Sequence, residues 1–203
     1  MDVRSLIAEN LTCIRGGRLI FRDVSLRVDA GQVLALEGAN GAGKTSLLRM
    51  IAGFLAPASG TITLKTSPAQ IDESEERGKH VGWLGHADAV KPQMTPRETL
   101  RFFADVYRTG DNVEAALDEV GLTRARDLPT QYLSAGQKKR LALARLKLCG
   151  RLLWLLDEPA AALDADGKIL AAKFIRDHCA SGGIAIAATH EPLDLTVKRL
   201  FLG

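Results

Sequence analysis

Long apolar runs are absent from this sequence of 203 residues. Stretches such as Leu152–Leu156 fall far short of the roughly 20 consecutive apolar residues that a bilayer-spanning helix needs. No direct bilayer insertion is expected, and any work at a membrane calls for a membrane part from another chain. Cysteine is scarce as well. Cys13, Cys149 and Cys179 form no C-x-x-C pair, and an odd number cannot all pair internally. This suits a reducing compartment, and each thiol reads as a small buried hydrophobe. Charge of one sign is also lacking. Against 24 acidic residues stand 27 basic ones, a net charge of +3. That is too modest for strong binding to a phosphate backbone, so nucleic acid is not an expected partner. Basic residues are scattered apart from the run Lys138-Lys139-Arg140. Asp2, Arg4 and Glu9 interrupt the start, so no secretory signal is expected there. Internal repeats and low-complexity segments are missing too.

What is present has ordinary globular composition, 46% hydrophobic and 25% charged, and enough residues to bury a core in one domain with or without a lobe. Short alternating apolar stretches within residues 1–30, such as Leu19-Ile20-Phe21 and Val24–Val28, predict strands of a partly antiparallel sheet. Val33–Glu37 reads as a buried strand, Ala58-Ser59-Gly60 as a turn, Thr61–Leu64 as a strand and residues 66–79 as a polar surface loop. From about Pro92 to Val120 the pattern is helical. Thr95-Pro96-Arg97-Glu98 is a capping box with proline at the first helical position. Asp111-Asn112-Val113-Glu114 resembles a second one, and Gly121 suits the stop of its helix. The α/β pattern returns with a strand at Leu152–Leu156, a helix near Lys168–His178 and a strand at Ile184–Thr189.

Gly38-Ala39-Asn40-Gly41-Ala42-Gly43-Lys44-Thr45, followed by Ser46, is the most informative stretch. It fits G-x-x-x-x-G-K-[ST], the loop that wraps nucleotide phosphates. Small residues let consecutive backbone N–H groups turn inward around oxygens. Lys44 adds a positive charge for the outer phosphates, and Thr45 offers a hydroxyl to Mg²⁺. An apolar strand precedes the loop. Leu47, Met50, Ile51 and Phe54 repeat after it at helical spacing, so the loop feeds a helix N-terminus, where the macrodipole also favours an anion.

Two further polar clusters follow apolar strands. Asp157-Glu158 comes directly after Leu152–Leu156, and His190 directly after Ile184–Thr189. In open parallel sheets ligands bind at the carboxyl ends of strands, so a phosphate cradle, two carboxylates and an imidazole are expected at one edge. Asp157 is placed to hold Mg²⁺, which prefers oxygen ligands. Glu158 is placed to polarise an attacking water as general base, and His190 to steady charge on the γ-phosphate. Singly, each of these reads as a solvated strand end; jointly they converge on one site. Leu133-Ser134-Ala135-Gly136-Gln137 is a helix capping box when read alone. Here it opens the basic helix Lys138–Leu148 and offers a second phosphate-binding helix start.

Together these segments resemble the ATP-binding cassette of ABC proteins. The phosphate loop lies at 38–45, the signature at 133–137, the strand with its carboxylates at 153–158, the D-loop at Ala162-Leu163-Asp164 and the switch histidine at His190. The resemblance covers essentially the whole chain and implies an α/β P-loop NTPase fold of ABC-cassette type. Its mixed-sheet core, with an N-terminal antiparallel part, would span about 1–85 and 150–203, and its helical subdomain about 86–149. It also implies ATP and Mg²⁺ as cofactors and a nucleotide-dependent homodimer in which Ser134 and Gly136 act on the partner's nucleotide. Two positions depart from the family. Arg15 stands where a stacking aromatic is usual, and its guanidinium can stack on adenine. His86 stands near the usual glutamine of the loop entering the helical lobe. As a poorer ligand for Mg²⁺, it is expected to touch the attacking water or a partner.

Leu84-Gly85-His86, Met94–Leu100, the signature with Lys138-Lys139-Arg140, and Thr189-His190-Glu191-Pro192-Leu193 together resemble the ATP-binding subunit of the bacterial cytochrome c maturation system, the haem exporter. No regulatory domain is expected after His190. This resemblance implies a peripheral ATPase on the cytoplasmic face of the inner membrane, bound to integral membrane subunits and serving haem delivery to c-type cytochromes. No haem site is visible in the chain itself, and His80 and His178 read as surface residues. The alternatives are an ATPase subunit for another cargo, a soluble non-transport ABC ATPase and a nucleoside kinase-like enzyme. The second usually brings coiled coils or two cassettes, and the third leaves the signature unexplained.

Overall fold

Parallel strands buried on both faces form the centre of the molecule. The computed structural model describes residues 2–85, 90–110, 112–191 and 194–203. β1 (Asp2–Arg15) and β2 (Arg18–Asp29) form a hairpin, β3 (Val33–Glu37) leads into the phosphate loop, and α1 (Lys44–Ala52) comes after it. β4 (Ser59–Ser67), β5 (Gln70–Ile71), α2 (Ser74–Gly78) and β6 (Val81–Leu84) come next. A helical stretch holds α3 (Pro96–Tyr107), α4 (Val113–Glu119) and α5 (Ala135–Leu148). The chain closes with β7 (Leu153–Asp157), α6 (Ala165–Ala180), β8 (Ile184–Ala188) and β9 (Lys198–Phe201). Among the described residues there is an antiparallel sheet ordered β2-β1-β4-β5 and a parallel one ordered β6-β7-β8-β3-β9.

The two-residue strand period explains the layering. Leu153, Leu155, Ile184 and Ile186 pack on one side against Leu47, Leu48 and Ile51 of α1, which also meets Leu6, Leu11, Val28 and Leu64 of the antiparallel sheet. Trp154, Leu156, Ala185 and Ala187 turn the other way, toward Leu143 and Leu146 of α5 and Phe174 and Ile175 of α6. Strands covered on both faces read as unbroken apolar runs. Helix α1, clamped between two sheets, contributes several fully buried side chains, each worth about 1.5–3 kcal/mol.

The capping box at Thr95 forms as its sequence predicts: the Glu98 N–H donates to Thr95 Oγ1 at 3.1 Å and the Thr95 N–H to Glu98 Oε2 at 2.8 Å. The second would be capped by Asp111. Asn112 makes no side-chain cap, and Asp111 lies outside the described residues. Three local readings need correction. The expected turn at Ala58-Ser59-Gly60 is mostly strand, because β4 starts at Ser59. Phe54 lies beyond the end of α1 and is exposed. Residues 66–79 are more than a polar loop, since they carry β5 and α2 and bury Arg77. The Arg77 guanidinium donates to the carbonyls of Met50, Ile51, Ile62 and Asp72. It thereby satisfies carbonyls at the C-terminal end of α1, where the helix dipole favours a cation. β6 and β9 carry no motif, and the sequence pattern does not predict them.

His178 is not a surface residue. Its ring stacks on Trp154 with centroids 3.9 Å apart, and Nε2–H donates to the Ile184 carbonyl at 3.2 Å. Burial pushes its pKa from 6.5 down to about 4. The folded chain therefore refuses a proton that the unfolded chain accepts below about 6.5. This contribution to stability is complete above that pH and is lost as pH falls toward 4. Denaturant titrations of wild type and His178→Phe should show wild type losing about 1–2 kcal/mol more than the variant between about pH 7 and pH 5. Identical pH dependence would refute the buried neutral imidazole.

Candidate nucleotide site

The carboxyl ends of β3, β7 and β8 open onto one cavity of about 890 Å³. Asn40, Gly41, Gly43, Lys44, Thr45 and Ser46 line one side of it, and Asp157, Glu158, Ala161 and His190 another. The phosphate loop leaves β3 and turns into α1 through Gly43, whose φ of 101° lies in the left-handed region. A Cβ there would stand 2.7 Å from both Ile20 and Phe21, so the loop is pressed against the β1–β2 hairpin. Gly38 and Ala39 contribute differently from the rest. Their carbonyls accept from Lys44 Nζ at 2.7 and 3.1 Å, which holds the buried ammonium folded back on the loop. Ala42 packs against the core.

Thr45 and Asp157 meet although they are 112 residues apart in sequence. The Thr45 hydroxyl lies 3.2 and 3.1 Å from the two carboxylate oxygens, and Asp157 is buried. Glu158 has φ 52°, rare for a residue with a side chain. Its N–H donates to the Ala188 carbonyl at 2.9 Å, which ties the turn after β7 to the end of β8. That turn directs the carboxylate to His190: Oε1 lies 3.6 Å from Nε2, and the His190 N–H donates to Oε2 at 3.4 Å.

Arg15 also reaches the cavity, with Gly16 and Ile20 from the same hairpin. Gly16, Ile20 and Ala161 carry no motif that marks them in the sequence. The Gly16-Gly17 turn between two alternating strands is the available signal for the first two. The signature segment does not line the cavity within one chain. Ser134 and Gln137 form a reciprocal capping box on α5, with N–H to side-chain distances of 3.2 and 2.9 Å. Leu133 is buried, while Ala135 and Gly136 begin the helix. Asp164 caps α6 and pairs with Arg140 at 2.7 Å. His86 lies outside the described residues.

A family model described as ABC transporter matches residues 21–161. The chain belongs to the ABC transporter family. Its cassette is of the ATP-binding, ATP-hydrolysing kind. It is 44% identical over 200 residues, 98% of both chains, to the cytochrome c biogenesis ATP-binding export protein CcmA of Rhodopseudomonas palustris strain HaA2. It is 45% identical over 186 residues to the protein of that name from Hyphomonas neptunium, covering 92% of this chain and 90% of the relative. The fold matches the ATP-binding subunit of an ABC transporter with TM-score 0.80 at 24% identity, covering 91% of this chain and 79% of that one. A bacterial Atm1-family ABC exporter with ATP bound gives TM-score 0.84 at 22% identity, covering 99% of this chain and 37% of the exporter. Among the described residues no helix of this chain is long and apolar enough to cross a membrane.

The crowding at Gly43 gives a direct test. Gly43→Ala should weaken binding of a fluorescent ATP analogue at least about tenfold, because a strained, displaced loop loses several phosphate contacts together. Unchanged affinity would mean that the loop does not hold the phosphates in this conformation.

Proposed function

We propose that this cassette hydrolyses ATP as the peripheral motor of an inner-membrane complex serving c-type cytochrome biogenesis, the most specific role that its motifs and its 44%-identical relatives support. The observation that carries the hydrolytic part is the meeting of Thr45, Asp157, Glu158 and His190 around one cavity. In this reading residues 38–46 cradle the phosphates and Lys44 leaves its loop carbonyls to pair with them. Residues 1–85 and 150–203 act as the nucleotide core and 86–149 as the helical subdomain.

The oxygen donors fit Mg²⁺. Thr45 and Asp157 supply a hydroxyl and a buried carboxylate side by side, which suits a hard cation that keeps waters and phosphate oxygens as its other ligands. Bound there, the ion would neutralise charge on the phosphates. Glu158 accepts a proton from the attacking water as the water moves in line toward the γ-phosphorus. His190, beside Glu158, donates toward the γ-phosphate oxygens and keeps the Glu158 carboxylate oriented. Arg15 lies along the purine face. Ser134 and Gly136 lie outside the cavity of their own chain, which supports a head-to-tail pair of cassettes with each signature on the other's nucleotide. Such an assembly has two composite sites, and its separation after hydrolysis would drive the integral membrane subunits. His86 is assigned to the attacking water or a partner, a role for which Mg²⁺ affinity in His86→Ala is the check.

Replacing Glu158 by Gln should leave ATP binding intact and slow hydrolysis by about 10²–10⁴-fold; near-normal turnover would remove Glu158 from the role. In cells lacking this gene, covalently bound c-type haem should disappear and return with wild type but not with Glu158→Gln. Normal c-type haem without the gene would leave the ATPase assignment standing and point to another cargo.

A further inference from the structure

We infer that Lys168 and Glu191 are positioning residues for His190, and that the first turn of α6 links this histidine to the start of α5. The inference rests on the role proposed for His190 in hydrolysis. His190 sits at the tip of a tight turn. The Thr189 N–H donates to the Leu36 carbonyl at 3.3 Å. Its hydroxyl donates to the Glu191 carbonyl at 2.7 Å and accepts from the Glu191 N–H at 3.1 Å. These bonds fix the shape of the turn and its root on β3. They leave open the direction in which its outer side leans. The Glu191 carboxylate supplies that constraint, because its Oε2 lies 2.6 Å from Lys168 Nζ.

Lys168 is itself held by a well-anchored helix start. Its N–H donates to the Asp164 carbonyl at 2.9 Å. The Asp164 side chain accepts from the Gly167 N–H at 2.9 Å and from Arg140 Nη2 at 2.7 Å. Arg140 belongs to α5, and at the start of that helix Gly136 approaches the loop before α6 so closely that a Cβ would lie 3.0 Å from the Ala162 carbonyl. One continuous path therefore runs from the beginning of α5, through Arg140 and Asp164, along one helical turn to Lys168, then through Glu191 to His190 and Glu158. Movement of α5 against the core shifts the α6 start and, through the lysine, the imidazole.

The Lys168–Glu191 pair is solvent-exposed, with side-chain exposures of 45% and 53%, whereas Arg140 of the other pair is only 21% exposed. Exposed pairs contribute little to stability and are screened by salt. A positioning role should consequently be visible in turnover without a change in Tm. The experiment is steady-state ATP hydrolysis by the full-length chain, with His190→Ala as reference. Lys168→Ala and Glu191→Gln should each lower kcat about two- to fivefold, the range that losing an exposed pair can shift the population of a well-placed imidazole, with KM within about twofold and Tm unchanged. The exchanged pair, Lys168→Glu with Glu191→Lys, should recover kcat to within about 1.5-fold of wild type. At saturating ATP, added salt should lower kcat more in wild type than in Lys168→Ala.

If His190→Ala is impaired while the single variants turn over like wild type, or the exchanged pair stays as slow as they are, the inference is overturned and the role of His190 stands. If His190→Ala itself turns over normally, the role of His190 fails and the inference fails with it.

Discussion

The in-register parallel pairing of β7, β8 and β3 is the constraint on which the site depends. Leu156 and Asp157 of β7 lie opposite Ala187 and Ala188, and Leu36 lies opposite Ala188 from the other side. Parallel strands finish at the same edge, so the loops that leave them emerge within side-chain reach of one another. A slip of one residue would turn Asp157 to the other face of the sheet and break its contact with Thr45. The small alanines of β8 let the neighbouring layers approach, and complete burial on both faces leaves the register little freedom.

Helix α1 depends on that sheet and serves it in return. Its N-terminus carries Lys44 and Thr45, and its apolar sides lie between the two sheets. Its C-terminal carbonyls are met by the buried Arg77 guanidinium. The helix is short and gains its stability from packing at both faces and a cation at its end rather than from intrinsic propensity. The positive end of its dipole points at the cavity, where an anion is stabilised before any side chain contributes.

Of the two helix starts read as phosphate-binding, one lies away from the cavity within a chain. The phosphate loop is in the cavity, and the capping box at Ser134 is on a separate surface, next to the loop that ends at Asp164. Under the proposed assembly, this division makes each site incomplete alone. The ion pairs around the start of α6 then lie between the part of the chain that reads the partner's nucleotide and the part that reacts with its own.

The phosphate loop, the carboxylate pair after an apolar strand, the serine-glutamine cap and His190 were legible in the sequence. Each is a local pattern whose chemistry derives from residue type and spacing. The runs Val33–Glu37, Leu152–Leu156 and Ile184–Thr189 announced strands for the same reason: burial on both faces leaves almost no polar alternation. β6 and β9 are short and bear no motif, and the 66–79 segment hid a buried arginine behind a polar composition. Arg77 and His178 look like surface residues until their carbonyl partners and the Trp154 ring are seen, since burial of a polar side chain is decided by groups distant in sequence. The sequence by itself determined which groups of atoms stand at the proposed phosphate site. Tertiary structure alone decided that Thr45 reaches Asp157, that Glu158 faces His190 and that the signature stands apart from its own cavity. Those relations depend on strand register and helix packing between segments far apart in sequence, 112 residues for Thr45 and Asp157 and 32 for Glu158 and His190, which no local pattern encodes.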